Sequence, residues 1–194
     1  MTALSLKYVT EGGKAALAKA LAAIECDAGS PEVITLLNDA WAAPRAHVLG
    51  LTGPPGVGKS TLTSRLIASW RRAGNSVGVI AVDPSSKRSG GALLGDRVRL
   101  ATDPDDEGIF VRSMAARDRL GGLAAITVSA MVLMRANFDI VLIETVGVGQ
   151  SETEIVGVAD TIIFCVQPGA GDSLQFMKAG IMETPHILAV TKAD

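Results

Sequence analysis

At 194 residues, with 48% hydrophobic and 20% charged residues, the chain has globular composition and enough apolar mass for one substantial core. Aromatics supply only 4%, so that core must be built mainly from Ala, Val, Leu and Ile. A formal charge of −2 excludes a broad basic field for nucleic acid or an anionic membrane, and the longest apolar runs, about five to seven residues, fall far short of the roughly 20 that span a bilayer.

Residues from about 5 to 42 read as helical, with Ala15, Leu17, Ala18, Leu21 and Ala22 spaced for one face. Gly29-Ser30-Pro31 breaks the run. Ser30 can cap a second helix that has Pro31 in its first turn and continues through Val33, Ile34, Leu36 and Leu37 to Trp41. Pro44 closes a segment expected to form an N-terminal helical appendage over residues 1–45. The start lacks a signal-peptide core, and its first twenty residues contain Glu11 and no Arg, unlike a mitochondrial leader. Two cysteines occur, Cys26 and Cys165, the latter inside an apolar run that suits a buried free thiol. A reducing, cytoplasmic setting is the expectation.

From His47 onward short apolar runs alternate with helical stretches. Strands are expected at His47–Thr52, Val77–Val82, Ile109–Arg112, Asp139–Glu144, Thr161–Val166 and Ile187–Thr191. Helices are expected at Lys59–Ala73, Gly122–Ala136 and around Leu174–Met182. Continuous Val/Ile/Leu strands separated by helices imply an α/β fold of three layers, with a mainly parallel sheet covered on both faces. Right-handed crossovers bring the strands' C-terminal ends to one edge, where such folds bind ligands.

The first strand runs into Gly53-Pro54-Pro55-Gly56-Val57-Gly58-Lys59-Ser60, which fits the phosphate-loop pattern G-x-x-x-x-G-K-[ST] and is followed by a helical stretch. Glycines let backbone N–H groups face phosphate oxygens, and the helix N-terminus adds its dipole. Gly53, Pro55, Gly56, Val57, Gly58, Lys59, Ser60 and Thr61 are therefore the candidate phosphate-binding residues. Lys59 can reach the β- and γ-phosphates, and the Ser60 hydroxyl can ligate Mg²⁺. A chance Gly-rich turn is the bland alternative, and the correct flanking elements count against it.

Three acids are candidates for the metal. Glu144 ends a buried strand at the ligand edge, where Asp is more common, and Gly147 lies three residues on, able to offer its N–H to a γ-phosphate. Asp83 follows the strand Val77–Val82 in the same way. Spacing alone leaves Asp96 open between capping a helix and catalysis. The chain closes on Thr191-Lys192-Ala193-Asp194 after a sixth strand, an [NT]-K-x-D pattern in which the Asp accepts from guanine N1–H and the 2-amino group. Adenine offers no such donor pair, so the missing hydrogen bond carries the discrimination. His47 and His186 each border an apolar strand and read as structural.

With these motifs in order, the sequence resembles the MeaB/ArgK family, GTPases that attend coenzyme-B12-dependent methylmalonyl-CoA mutases. The resemblance rests on the phosphate loop, on Val82-Asp83-Pro84-Ser85-Ser86, and on Gly90-Gly91-Ala92-Leu93-Leu94-Gly95-Asp96-Arg97. It continues through Glu144-Thr145-Val146-Gly147-Val148-Gly149-Gln150-Ser151-Glu152 and Pro168-Gly169-Ala170-Gly171-Asp172-Ser173-Leu174-Gln175. It implies a P-loop GTPase domain over residues 46–194 that binds GTP or GDP with Mg²⁺. Lys59, Asp96 and Glu144 would be catalytic, with Ser60, Asp83, Asp96 and Glu144 around the metal. Lys87–Arg97 would be switch I, Val146–Glu154 switch II and Gly169–Lys178 a third switch that relays nucleotide state to the mutase through Asp172, Gln175 and Lys178. Without the resemblance, that third loop reads as an ordinary surface connection.

The implied partners are a B12-dependent acyl-CoA mutase, a cobalamin adenosyltransferase and a second copy of the full-length chain, with no nucleic acid and no membrane. The implied role is a chaperone that gates cofactor loading and protects the mutase. Thr191 stands where the family usually has Asn, as it does in signal-recognition GTPases. Family members continue with a further strand, a guanine-contacting loop and a helical dimerisation arm, so the chain is expected to be shortened at its C-terminal end. The rival readings are an ATP-dependent kinase, which needs a second substrate pocket, and a metal-insertion GTPase, which needs His- or Cys-rich clusters that this sequence lacks.

Overall fold

The computed structural model describes residues 4–84, 102–103, 105–116, 125–145, 155–169 and 185–193. Three helices come first: α1 (Leu6–Glu11), α2 (Gly13–Cys26) and α3 (Pro31–Ala42). The Ser5 hydroxyl accepts from the Tyr8 amide at the head of α1, and the Ser30 hydroxyl accepts from Val33 at the head of α3, with Pro31 in its first turn. The helical run expected before Gly29 is in fact divided at Gly12-Gly13. Gly13 adopts φ 61°, which a residue with a side chain resists; α1 ends at Glu11 just before it and α2 begins with it.

The strands are β1 (His47–Thr52), β2 (Val77–Pro84), β3 (Ile109–Ala116), β4 (Ile140–Glu144), β5 (Thr161–Val166) and β6 (Ile187–Val190). Among the described residues, α4 (Lys59–Arg72), α5 (Ala125–Asn137) and a 3-10 turn at Ile155–Gly157 run between them. The sheet order is β3-β2-β4-β1-β5-β6 and every pairing is parallel. This is the three-layer α/β architecture that the alternation of apolar runs and helices predicts.

Two strands outrun their expected ends. β2 continues to Pro84 and β3 to Ala116, because the two pair in register from Val77↔Ile109 to Pro84↔Ala116. The sequence suggests a stop at Arg112, but that guanidinium meets Glu25 of α2 at 3.0 and 2.5 Å, so a charge is accommodated within an edge strand. Residues 122–124 and the helix expected around Leu174–Met182 lie outside the described residues.

Side chains alternate between two cores, as strand geometry requires. Val48, Ile80, Val82, Val141 and Ile143 face one side, where Leu17, Leu21 and Ile24 of α2, Val33 and Leu36 of α3, and Met131, Leu133 and Met134 of α5 complete one continuous cluster. Leu49, Leu51, Val77, Val79, Leu142, Ile163 and Cys165 face the other, under Ile67, Leu62, Leu66 and Trp70 of α4. The N-terminal helices therefore share the core of the sheet. Among the described residues no helix is long and apolar enough to cross a membrane.

Candidate functional site

The site gathers at the C-terminal ends of β1, β4 and β5, with β1 between the other two. Thr52 ends β1, and Gly53 follows at φ 138°. Gly56 and Gly58 also take left-handed φ values, 76° and 99°, which turn the loop and deliver the chain to the first turn of α4. Val57 is buried under the loop, while Pro55 and Thr61 are exposed. The Lys59 side chain folds back along the loop. Its ammonium donates to the Gly53 carbonyl at 2.7 Å and the Pro54 carbonyl at 2.9 Å, and the residue is only 7% exposed.

One turn into α4 the site acquires its carboxylate. The Ser60 hydroxyl donates to Glu144 Oε1 and the Thr63 hydroxyl to Glu144 Oε2, both at 2.8 Å. Register explains the meeting, since Glu144 pairs with Leu51 at the end of β1, just before the phosphate loop. Next to it Thr145 donates to Thr52 across the same two strands at 2.9 Å, in a buried position. Expected from the sequence were Ser60 and Glu144. Thr63 was not, although its spacing of three from Ser60 puts it on the same helical face.

The loop after β6 is tied to the phosphate loop. Thr191 donates through Oγ1 to the Val57 carbonyl at 2.6 Å and to the Val166 carbonyl at 3.0 Å. Lys192, at φ 51°, donates to the Gly56 carbonyl at 2.6 Å. Two residues of the Thr191-Lys192-Ala193-Asp194 motif thus hold two carbonyls of the phosphate-loop motif. Cys165 lies beneath: burial pushes its thiol up to about 11, against the pull of Lys59 and with a further push from Glu144.

Asp83, the next-to-last residue of β2, has its backbone paired to Ala115, and its side chain lies outside what is described. Asp96, Gly147, Asp172, Gln175, Lys178 and Asp194 also lie outside the described residues. His47 and His186 sit at the opposite strand ends. His47 Nε2 is 2.8 Å from Thr161 Oγ1, and His186 Nδ1 accepts from the Ile162 amide.

The residues present suit a magnesium ion. A serine hydroxyl and a carboxylate within 2.8 Å of each other are hard oxygen donors of the kind magnesium takes. A buried ammonium among phosphate-loop carbonyls adds the positive charge that a polyphosphate needs.

Comparison with known proteins identifies the family. A family profile described as Methylmalonyl Co-A mutase-associated GTPase MeaB matches residues 17–194. Over 190 residues the chain is 46% identical to a Pyrococcus horikoshii protein with a provisional GTPase name, covering 97% of this chain and 60% of that one. It is 38% identical over 194 residues to the Escherichia coli GTPase ArgK, covering 98% of this chain and 59% of that one. The signal recognition particle 54 kDa protein of Aeropyrum pernix, solved with GDP, matches with a TM-score of 0.53 at 16% identity, over 92% of this chain and 47% of that one. That last likeness is one of fold. The chain spans about 60% of the length of these two sequence relatives.

Proposed function

The chain belongs to the MeaB family of methylmalonyl-CoA mutase-associated GTPases, and from that premise we propose that it binds and hydrolyses GTP with Mg²⁺ as a nucleotide-gated chaperone of a coenzyme-B12-dependent acyl-CoA mutase. The observation that carries the nucleotide reading is the convergence of Lys59, Ser60 and Glu144 at one sheet edge, with Thr191 and Lys192 bonded to the same loop. Residues 46–194 are proposed as the GTPase unit, with 1–45 as an N-terminal segment packed on it.

In this reading Gly53–Thr61 cradle the phosphates, the Lys59 ammonium exchanges loop carbonyls for β- and γ-phosphate oxygens, and Asp194 reads the guanine edge. Ser60 would hold the metal directly, with Glu144 beside it and Asp83 and Asp96 completing the surroundings. When bound, Mg²⁺ neutralises charge that develops on the phosphate oxygens. Lys59 contributes its own charge to the same end. Glu144 keeps the Ser60 oxygen oriented.

Val148 follows the glycine of switch II, where a water-orienting Gln stands in the familiar small GTPases, and Gln150 comes two residues later. Valine cannot orient water, so slow hydrolysis alone and faster hydrolysis on a partner is the expectation; partner-supplied groups are worth about 10³–10⁵ in such enzymes. Lys178 in the third switch would carry the signal. A cobalamin adenosyltransferase and a second copy of the full-length chain are proposed as further partners, in the cytoplasm.

The test is phosphate release with Mg-GTP and Mg-ATP. Lys59→Ala should abolish turnover, and unchanged GTP turnover would sink the nucleotide reading. GTP should bind more tightly than ATP by calorimetry. Adding candidate mutases should raise the rate and Lys178→Ala should blunt the rise; no stimulation by any of them would remove the chaperone role and leave the GTPase.

A further inference from the structure

Helical serines and threonines usually turn their hydroxyls back to the carbonyl four residues earlier. Thr10, Thr35, Ser64 and Ser129 do so here, at 2.8–3.1 Å. Thr63 does otherwise. It is fully buried in α4, and its hydroxyl crosses to the sheet to donate to Glu144 Oε2. The two oxygens of Glu144 are thereby divided, one to Ser60 and one to Thr63. Glutamate has one more rotatable bond than aspartate, so a single hydrogen bond leaves its carboxylate freer to swing. Thr63, one turn beyond Ser60 on the same face of α4, supplies the second hold.

We propose that Thr63 is the positioning residue of the magnesium site, anchoring the Glu144 carboxylate by one oxygen so that the other stays directed at the Ser60 hydroxyl. This rests on reading Ser60 and Glu144 as the metal's protein partners. The Thr63 bond is independent of Ser60, so it persists when the Ser60 oxygen turns to the ion. Groups that orient metal ligands in this way are worth about 10–100-fold in metal affinity.

The experiment uses GDP-loaded protein, with Mn²⁺ affinity read by electron paramagnetic resonance and release of fluorescent GDP followed against Mg²⁺ concentration. Thr63→Val keeps the shape and removes the hydroxyl; it should weaken Mn²⁺ binding about tenfold or more and shift the Mg²⁺ dependence of GDP release equally. Thr63→Ser should restore both, and GDP affinity in EDTA should be the same in all variants. Thr63→Ala serves if the valine variant does not fold. Glu144→Gln separates the two levels. If it loses metal affinity while Thr63→Val keeps it, Thr63 is only structural and the proposal is overturned. If Glu144→Gln also keeps wild-type metal affinity, the reading of Glu144 fails and the proposal with it.

Discussion

Gly53 leaves β1 at φ 138°, and a Cβ placed there would run into the Cys165 carbonyl on the neighbouring strand. Strain and collision both oppose a side chain, the strain alone costing about 1–3 kcal/mol. Gly53→Ala is therefore expected to displace the start of the phosphate loop and weaken Mg-GDP binding at least about tenfold; unaltered affinity by calorimetry would contradict this. Cys165 gives a second check. Its thiol, held near 11 by burial, stays protonated at pH 8, and only thiolates react fast. Ellman's reagent should modify exposed Cys26 in the native protein and reach Cys165 only after denaturation. At this scale the sequence was informative where spacing is local, as in the eight-residue loop. It was silent where contacts are distant: nothing in the primary structure ties Lys192 to Gly56 or lays Cys165 under Gly53.

Among the elements, α4 is fixed at both ends, by the phosphate loop at its start and by Arg71 at its finish. Arg71 reaches Asp106 through Nε at 2.9 Å and NH2 at 2.6 Å, and NH1 donates to the Asn75 carbonyl at 2.7 Å. The Arg71 bonds to Asp106, then that from the Gly108 amide, hold the Asp106 carboxyl down to about 2. A carboxyl lowered by folding contributes stability above its unfolded value, and that contribution is lost as pH falls through the folded one. The window is about pH 4 down to 2. Asp139 acts in the same direction, lowered first by the Ser76 hydroxyl, then by the Ser76 amide and Arg45. The melting temperature should fall more steeply across that window in the wild type than in Asp106→Asn; parallel acid limbs would refute the clamp. Strand starts were legible because apolar runs begin abruptly after polar turns. Strand ends were less so, since the pairing of β2 with β3 and the Glu25–Arg112 contact extend them past what local composition suggests.

At the scale of the molecule, α1–α3 complete the core on one face of the sheet, with Leu21, Ile24 and Leu36 at most 1% exposed. Leu36→Ala should cost about 2–5 kcal/mol in urea unfolding, as for other large-to-small changes in a packed core. A loss under 1 kcal/mol would mean that the helical layer is loosely attached. The amphipathic spacing of α2 and α3 announced a buried face. It could not say which surface that face covers, because strand order is a property of the closed sheet. That order has a temporal consequence. β1 can be flanked only by β4 and β5, and β4 begins almost ninety residues after β1 ends. At about 5–20 residues per second of synthesis, the strand that launches the phosphate loop waits on the order of 5–20 s for its first neighbour. Until then neither of its sheet neighbours has been made. On the proposed function, the phosphate loop gains both flanking strands only once synthesis has passed β5, so nucleotide would be bound late, after the sheet around β1 has closed.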